Sequence, residues 1–306
     1  MLQNKAAEME IFVRVYETGG FSAAARSLGL TPSAIAKSVA RLEQRLGTTL
    51  FQRSTRSLRA SAEGEIYYER ARAILSEIEA ADSSVGQQAV AARGRIRVNS
   101  TIPFGTHVLL PHLGEFLKAH PQVTLDLSFT DDVVDLLAER TDVAIRVGAL
   151  KDSRLMKRKL GSSPLLLVAA PSYLKKMPPL RKPADLARHN CLNFNFRRQV
   201  GEITLLENGT RNTYPAPGNI LVNNGETMRH LILAGIGIGR LAHYHVAADL
   251  AAGRLARVLP DVDPGEREDI HAVFLGAGGR FSLPVRTRLF IDFVATQARL
   301  CLGGTT

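Results

Sequence analysis

Hydrogen-bond donors recur along one side of a predicted helix near residue 40, and their spacing suits contact with a polyanion. Ser33, Lys37 and Gln44 share a face, and Arg41 flanks it. Lysine and arginine donate to phosphates or guanine edges, while serine and glutamine contact either kind of base edge. The opposite face is apolar at steps of four, three and four residues, through Ile35, Val39, Leu42 and Leu46.

A shorter helix and a tight turn precede this helix. We expect Ser22 to cap the shorter helix and Gly29 to end it, because glycine adopts the left-handed conformation at little cost. Thr31 is the predicted cap of the second helix, Pro32 suits its first position, and Gly47 ends it. Residues 20–47 therefore predict a helix-turn-helix.

Positive charge is concentrated on this motif. Residues 20–60 contain seven lysine or arginine residues and one acid, Glu43, within a chain of net charge +10 and pI near 9.9. The alternative is a small helical core with a solvated basic face. Basic charge gathered on the motif itself favours DNA binding.

Two short strands are predicted after the motif, around a basic tip that would form a wing. Arg53 and Arg56 lie there and would reach the DNA backbone or minor groove; a solvated loop is the alternative. A first helix over residues 6–18 would cover the motif. The predicted DNA contacts are Ser22, Thr31, Pro32, Ser33, Lys37, Ser38, Arg41, Arg53 and Arg56.

A long helix is predicted from the Ser61 cap to about Val90. Its apolar residues follow a heptad seam suited to a partner helix, which predicts a homodimer. The alternative is a seam packed on its own domain. The predicted dimerisation residues are Tyr67, Ala71, Ile74, Ile78, Ala81 and Val85.

Several kinds of site are not indicated. No apolar run approaches 18 residues and the N-terminus lacks the apolar core of a signal peptide, so we expect a cytoplasmic protein without membrane contact. Cys191 and Cys301 are expected to be free thiols. His243 and His245 are two residues apart and lack a third metal ligand. We therefore predict no metal, no cofactor and no catalytic residues.

Alternating strand and helix patterns fill the remainder of the chain. Strands are predicted at residues 96–100, 123–130 and 143–147, with helices at 107–120 and 133–140 between them. This alternation indicates a parallel sheet with covering helices. A second group of elements begins at residue 165, and residues 269–298 look like a return to the first group.

Five stretches resemble the LysR-type transcriptional regulators over nearly the full length. They are FVRVYETGGFSAAARSLGLTPSAIAKSVARLEQRLGTTLFQRSTRSL, GRIRV, DLLAERTDVAIRVGAL, VAAPSYL and LVNNGETMRHLILAGIGIG. The resemblance implies a winged helix-turn-helix, a long linker helix and a periplasmic-binding-protein-like domain of two α/β subdomains joined by two crossovers. It also implies binding to double-stranded promoter DNA as a homodimer or homotetramer, response to a small effector, and contact with RNA polymerase.

Three domains are predicted on this basis. Residues 1–60 form the DNA-binding domain, 61–92 the linker helix and hinge, and 93–306 the effector domain. Subdomain I of the effector domain comprises residues 93–164 and 266–306, and subdomain II comprises residues 165–265.

Small polar residues at predicted strand ends are candidates for effector binding, because ligands of open α/β sheets bind there. Arg146 would hold a carboxylate, so we expect an anionic effector. Alternatively, Arg146 forms an ion pair with Asp131, Asp132 or Asp142, and each asparagine caps a helix or turn. The predicted effector contacts are Ser100, Thr101, Thr130, Arg146, Asn195 and Asn224.

Two other functions remain open from the sequence. One is a solute-binding or enzymatic α/β protein with an accessory DNA-binding domain. The other is an architectural protein that binds DNA without sequence specificity, which the ratio of specific to non-specific affinity would distinguish.

Overall fold

A computed structural model describes residues 4–53, 58–85, 92–132, 136, 139, 141–148, 155–195, 201–274 and 283–302. The chain forms two compact units. One consists mainly of Met1–Val90, and the other of Ala91–Leu275 with Arg286–Thr306.

The first unit contains four helices and one two-stranded sheet among its described residues. In chain order the elements are α1 (Lys5–Thr18), α2 (Phe21–Leu28), α3 (Pro32–Leu46), β1 (Phe51–Arg53), β2 (Leu58–Ala60) and α4 (Ala62–Val85). The predicted helix-turn-helix is thus confirmed as α2 and α3, and the predicted wing strands as the antiparallel pair β1 and β2.

The caps of α3 follow the sequence rules. Thr31 Oγ1 accepts a hydrogen bond from the Ala34 amide at 3.2 Å, and Pro32 occupies the first turn. Gly29 and Gly47 end α2 and α3 with φ of 66° and 69°, a conformation that favours glycine.

The predicted cap of α2 is wrong. The helix begins at Phe21, so Gly20 is its cap residue and no side chain caps it. Ser22 lies inside the first turn, because the helix starts two residues earlier than a Ser22 cap would require.

The core of the first unit brings α1, α3 and α4 together. Its fully buried members include Phe12, Ile35, Leu42 and Tyr68. Leu46, predicted in the apolar stripe of α3, is exposed at the end of the helix.

Glu43 fixes the start of the wing, since its Oε1 accepts the amide hydrogens of Leu50 and Phe51 at 2.7 and 3.1 Å.

The predicted seam of α4 is only partly available to a partner. Tyr67 packs against Phe12 with ring centroids 5.2 Å apart, and Ala71 is fully buried, so these two belong to the unit's own core. Ile74 and Ile78 are 39% and 40% exposed. The side chains of Ala81 and Val85, and residues 86–90, lie outside the described residues.

Ser61 caps α4 as predicted, with Oγ accepting the Gly64 amide hydrogen at 3.0 Å.

The second unit is built on a seven-stranded mixed sheet and smaller strand pairs. Its helices are α5 (Ile102–Phe104), α6 (Leu113–Ala119), α7 (Pro171–Leu174), α8 (Gly225–Leu233), α9 (His243–Ala251) and α10 (Val285–Leu302). Its strands are β3 (Gly94–Ser100), β4 (Val123–Phe129), β5 (Val143–Val147), β6 (Met156–Ala169), β7 (Asn193–Phe194), β8 (Glu202–Glu207), β9 (Thr210–Pro215), β10 (Leu221–Val222), β11 (Ile238–Ala242), β12 (Ala256–Arg257) and β13 (Arg267–Phe274). Four further helical segments are also present. One is a π-helical turn (Gly105–Leu109), and three are 3₁₀ segments (Leu110–His112, Pro183–Arg188 and Pro260–Val262).

The strand order of the large sheet is β11-β6-β13-β5-β3-β4, with β12 paired to β6. The predicted parallel sheet is confirmed for β3, which pairs in parallel with β4 and β5. Strands β13, β11 and β12 pair antiparallel with their neighbours. Most of the predicted helix at 133–140 lies outside the described residues.

Strand β6 joins the two halves of the second unit. Its residues up to Pro164 pair with β13, and those from Leu165 onward pair with β11. The domain and subdomain boundaries given above stay a prediction. The change of pairing strand between Pro164 and Leu165 supports the predicted subdomain boundary at that point.

Both cysteines are free thiols. Burial raises the pKa of the Cys191 thiol to about 12. None of the helices in the described parts of the chain has the length and apolar character needed to cross a membrane.

Candidate functional site

The exposed face of α3 carries the side chains predicted to contact DNA. Ser33, Lys37, Arg41 and Gln44 are all exposed and recur at steps of four, four and three residues. Among the described residues, neither Lys37 nor Arg41 forms a hydrogen bond or ion pair. Ala34 and Ala40 lie between the longer side chains, so that the surface is a shallow concavity. The arrangement leaves two cationic side chains available to a phosphate or base edge.

Two predicted residues near this face behave differently. Ser38 is only 3% exposed and lies on the inner side of α3, so we withdraw it as a DNA contact. Thr31, Pro32 and Ser22 are exposed, as a contact requires. Arg53 belongs to β1 but its side chain is not described, and Arg56 lies outside the described residues.

Arg45 shows that basic charge on the motif also has a structural use. Its Nη2 lies 3.1 Å from Glu8 Oε2, and the pair is mostly buried between α3 and α1. This arginine therefore stabilises the helix-turn-helix and leaves Lys37 and Arg41 as the exposed cations of α3.

A cavity of about 200 Å³ opens in the second unit where several strands and helices end. Of the six predicted effector residues, Thr101 alone lines it. The lining comprises Thr101, Pro103, Asp131, Val147, Leu165, Phe194, Gly225, Arg240, Leu241, Ala242, Tyr244, His245 and Glu268.

The other small polar candidates have structural partners or point elsewhere. Ser100 is fully buried, and its hydroxyl donates to the Thr101 carbonyl at 3.1 Å. Thr130 interacts with Asp132. Asn224 caps α8, accepting the Thr227 amide hydrogen at 2.8 Å, which bears out the cap alternative. Asn195 is exposed outside the cavity lining.

Arg146 is not among the residues that line the cavity, and its Nη2 is buried without a hydrogen-bond partner among the described residues, so its predicted carboxylate contact stays a prediction. Successive side chains of a strand point to opposite faces, and Val147 is the residue of β5 that lines the cavity. Arg146 Nη1 donates to Asn99 Oδ1 at 2.6 Å and to the Ile145 carbonyl at 3.1 Å. Burial lowers the pKa of this guanidinium. The alternative ion pair with an aspartate is also not found among the described residues.

Arg240 is the cation on the described lining, and sequence reasoning missed it. Its Nη1 lies 2.9 Å from Glu266 Oε2, while its Nη2 is buried without a hydrogen-bond partner among the described residues. Such buried donors are nearly always paired, so an open one on a cavity wall marks a position for a ligand acceptor. The available signal was a lone arginine within the apolar run of β11.

Asp131 joins two helix starts at the edge of the same cavity. Its Oδ1 accepts the Ile102 amide hydrogen at 2.9 Å, and its Oδ2 accepts the Gly225 amide hydrogen at 3.2 Å. These amides begin α5 and α8, where helices favour negative charge.

A second polar cluster, His107, Glu226 and His245, lies beside the cavity. Both histidine Nε2 atoms contact Glu226 Oε2, at 2.9 Å from His107 and 2.8 Å from His245. The hydrogen bond to His245 is the main reason that the pKa of Glu226 is far below its usual range. Burial lowers the pKa of His245. Among the described residues, this is the group whose ligand atoms could hold a metal ion.

Comparison with known proteins accounts for both units. Residues 7–65 match the family model of the bacterial regulatory helix-turn-helix protein, lysR family, and residues 90–299 match that of the LysR substrate binding domain. The chain belongs to the LysR family of transcriptional regulators. Its exposed α3 face and its cavity therefore lie in the DNA-binding and regulatory domains of a LysR-type regulator.

Individual LysR-type relatives match over nearly the whole chain. The transcriptional regulator CrgA of Neisseria meningitidis is 32% identical over 97% of this chain and 98% of its own. The activator AaeR of Escherichia coli is 31% identical over 93% of this chain and 91% of its own. The solved structure of CrgA covers 97% of this chain and 99% of its own, with 32% identity and a TM-score of 0.63.

The shared family decides between the alternatives left by the sequence. These relatives are named as transcriptional regulators, which are not enzymes, so the reading as an enzymatic protein with an accessory domain is set aside. LysR regulators bind promoter DNA, respond to small-molecule effectors and form oligomers.

Proposed function

We propose that this LysR-type regulator reads promoter DNA with the exposed face of α3. The single observation that carries the proposal is that Lys37 and Arg41 are exposed on one helix face and are unpaired among the described residues. Ser33 and Gln44 extend the same face. In this proposal α3 enters the major groove, and Ser22, Thr31, Pro32 and the wing arginines Arg53 and Arg56 approach the backbone.

The start of α3 supplies a further contact for DNA. Backbone amides at a helix N-terminus point outward, and the helix dipole favours an anion there. Thr31 and Pro32 set this terminus in place at the exposed end of the helix. A phosphate at this position would fix the register of the helix in the groove.

The effector in this proposal occupies the cavity of the second unit and contacts Arg240. The Nη2 group of Arg240 is buried without a hydrogen-bond partner among the described residues, so it can donate to a ligand. A small polar molecule with a carboxylate or another oxygen acceptor fits this position. Its binding changes regulation only if its affinity differs between two arrangements of the protein. The rest of the proposal is a cytoplasmic homodimer or homotetramer that contacts RNA polymerase.

A DNA titration at one stated salt concentration tests the proposed reading of promoter DNA. We expect DNA from upstream of the protein's own gene to bind about a thousandfold more tightly than a shuffled duplex. A ratio near one would instead support an architectural DNA binder.

Single variants then test the residues. Lys37→Ala and Arg41→Ala should each weaken promoter binding by about 1–3 kcal/mol for a base contact, or lower the salt slope by about one for a phosphate contact. Lys175→Ala, which removes an exposed charge from the second unit, is the matched control. Wild-type affinity and salt slope in both α3 variants would refute the proposed face.

A further inference from the structure

Three side chains of the kinds that bind metals meet beside the cavity of the second unit. His107 comes from the π-helical turn, Glu226 from the first turn of α8, and His245 from the first turn of α9. Their ligand atoms lie within 4.8 Å of one another. Both histidines direct Nε2 toward the same carboxylate oxygen of Glu226.

We propose that His107, Glu226 and His245 form a binding site for a divalent transition-metal ion of the zinc class. Two imidazole nitrogens and one carboxylate oxygen are the ligand set of open zinc sites, which keep one position for water or another ligand. Imidazole ligands also favour this class over Mg²⁺ and Ca²⁺, which prefer oxygen ligands. His245 lines the cavity as well, so the open position lies near the proposed effector.

The present geometry is close to that of a zinc site. Zinc lies about 2.0–2.1 Å from imidazole nitrogen and carboxylate oxygen, which places tetrahedral ligand atoms roughly 3.3 Å apart. The two contacts of Glu226 Oε2 are 2.8 and 2.9 Å, so each would lengthen by about half an ångström. All three ligand atoms already lie within 4.8 Å of one another.

Neighbouring side chains hold Glu226 in the orientation that a metal requires. Arg229 Nη1 donates to Glu226 Oε1 at 2.8 Å, which leaves Oε2 facing the histidines. Arg229 Nε in turn contacts Asp249 Oδ2 at 2.6 Å, so its charge is balanced by a second carboxylate. Hydrogen bonds of this kind commonly orient metal-binding carboxylates.

Local backbone features bring both histidines into place. The His245 side chain is only 2% exposed, and a Cβ atom at Gly225 would lie 3.2 Å from its Cε1. Glycine at this position therefore allows the close approach of His245 to the start of α8. The π-helical turn that carries His107 is a rare conformation found frequently at functional sites.

A metal ion held here would connect the two halves of the second unit. His107 follows β3 of the large sheet and His245 follows β11, at the opposite end of the order of that sheet, while Glu226 follows β10 of the separate β7–β10 pair. An ion that binds the folded protein alone stabilises that arrangement by mass action. Zinc should therefore raise the thermal unfolding midpoint of the wild-type chain.

The test uses the full-length chain, freed of metal with a chelator and titrated with zinc chloride against a chromophoric competitor. We expect one zinc ion per chain from this site. Three variants remove the ligands one at a time: His107→Gln, Glu226→Gln and His245→Gln. Each should weaken zinc binding by about a hundredfold, because the loss of a direct ligand should cost at least as much as the loss of an outer-shell partner. The measurement needs neither DNA nor effector, so its outcome is independent of the proposed function.

His230→Gln is the matched control. His230 lies on α8, its Nδ1 is 3.8 Å from Glu226 Oε1, and it is exposed outside the cluster. The His230→Gln variant should bind zinc with the wild-type affinity. Wild-type affinity in the three cluster variants, or no zinc bound by the wild-type chain, would overturn the proposal.

A measurement on the wild-type chain covers the case in which a cluster variant fails to fold. Diethyl pyrocarbonate modifies accessible histidines, and mass spectrometry locates the products. Zinc should protect the partly exposed His107 and leave His230 reactive. Equal modification of His107 with and without zinc would refute the site.

Discussion

Arg240 is held on the cavity wall by a carboxylate that uses only part of its guanidinium group. Glu266 takes Nη1, and Nη2 remains buried without a partner among the described residues. A charge-assisted hydrogen bond to such a group contributes about 1.5–3 kcal/mol. In the proposed function, substitution of Arg240 should therefore lower the affinity of an anionic effector.

We expect Arg240→Met to weaken the binding of a small carboxylate by roughly tenfold or more, because one charge-assisted hydrogen bond is lost. Thermal unfolding in the presence of acetate, succinate or benzoate measures this as a smaller rise of the midpoint. Asn195→Ala, exposed and outside the cavity lining, serves as the control. An unchanged rise in Arg240→Met, or no rise for any of the three acids in the wild type, would contradict the anionic effector.

Asp249 is a second residue whose charge has a defined consequence. Its carboxylate is 1% exposed and contacts Arg229 and Arg254 at 2.6 and 2.7 Å. Burial acts to raise the pKa of Asp249, but the two arginines outweigh burial, so the pKa is lowered. The ionised form therefore stabilises the fold above the unfolded pKa of about 3.9, and this contribution is lost as pH falls through the lower folded value.

Asp249→Asn should lower the free energy of unfolding by about 3 kcal/mol at pH 7, because two arginines lose a buried partner. The difference from the wild type should shrink below about pH 4, where the unfolded chain takes up a proton at Asp249, and it should be lost as pH falls through the lower folded pKa. Urea denaturation at several pH values measures both effects. Asp261→Asn, at an exposed position, should change stability by less than about 0.5 kcal/mol. A loss that is constant with pH would argue against the ion pairs as its cause.

Residue positions in the regulatory domain show why site prediction from sequence was limited. Thr101 follows a strand and lines the cavity, whereas Arg146 lies off the lining because its neighbour Val147 has the side chain there. The predicted roles of both residues in effector binding stay predictions. Glu226 and His107 are 119 residues apart, and no local spacing relates them. The cluster exists only after strands and helices have assembled, so the isolated pair His243 and His245 was a misleading guide.

At the scale of elements, the residue before the wing passes close to the first turn of α4. A Cβ atom at Gly64 would lie 2.2 Å from the Leu50 carbonyl oxygen, a distance that forces the backbone to move. Helix propensity alone favours alanine over glycine by about 1 kcal/mol within a helix. Here the clash is with backbone and outweighs that gain.

We therefore expect Gly64→Ala to destabilise the DNA-binding unit and to reduce promoter affinity, since α4 and the wing must separate. Gly114→Ala is the matched control, because Gly114 lies in helix α6 and nothing lies within 4 Å of a Cβ atom there. Thermal unfolding and DNA titration of both variants measure the effect. Equal behaviour of the two variants would show that the contact is not important for stability.

Elements governed by local rules were the ones the sequence predicted well. The caps and glycine ends of α3 depend on a few adjacent residues, and they were correct. The seam of α4 depends on what covers it, and the aromatic core of the first unit covers Tyr67 and Ala71. The two extra residues at the start of α2 also escaped prediction, because glycine without a side-chain cap gives a weak signal.

At the scale of the whole molecule, the exposed part of α4 is the surface that we propose for self-association. Ile74 and Ile78 are one helical turn apart and leave an apolar stripe on the outer side of the helix. Tyr67 and Ala71 are already covered and contribute nothing to it. Each isoleucine is already more than half covered, so a partner helix that buries the remainder would gain less than the about 1.5–3 kcal/mol of a side chain moved from full exposure.

The double substitution Ile74→Asp with Ile78→Asp should shift the protein toward monomer, because two charges would then face the partner helix. Light scattering coupled to gel filtration measures the mass of the assembly. Leu300→Asp, which alters a 71% exposed residue of α10, is the control and should leave the mass unchanged. An unchanged mass in the double variant would place the interface elsewhere.

The carboxylate of Asp131 is an intramolecular competitor for any acid that enters the cavity. It already accepts the amide hydrogens that open α5 and α8, and its attachment to the chain gives it an effective concentration that free ligands rarely match. An entering carboxylate gains little at this end of the cavity unless it displaces Asp131. If the proposed anionic effector binds Arg240, the selectivity of the cavity should be directional, with the anion at Arg240 and not at the two helix starts. A molecule with one acidic end and one neutral end should then bind more tightly than a symmetric dicarboxylate.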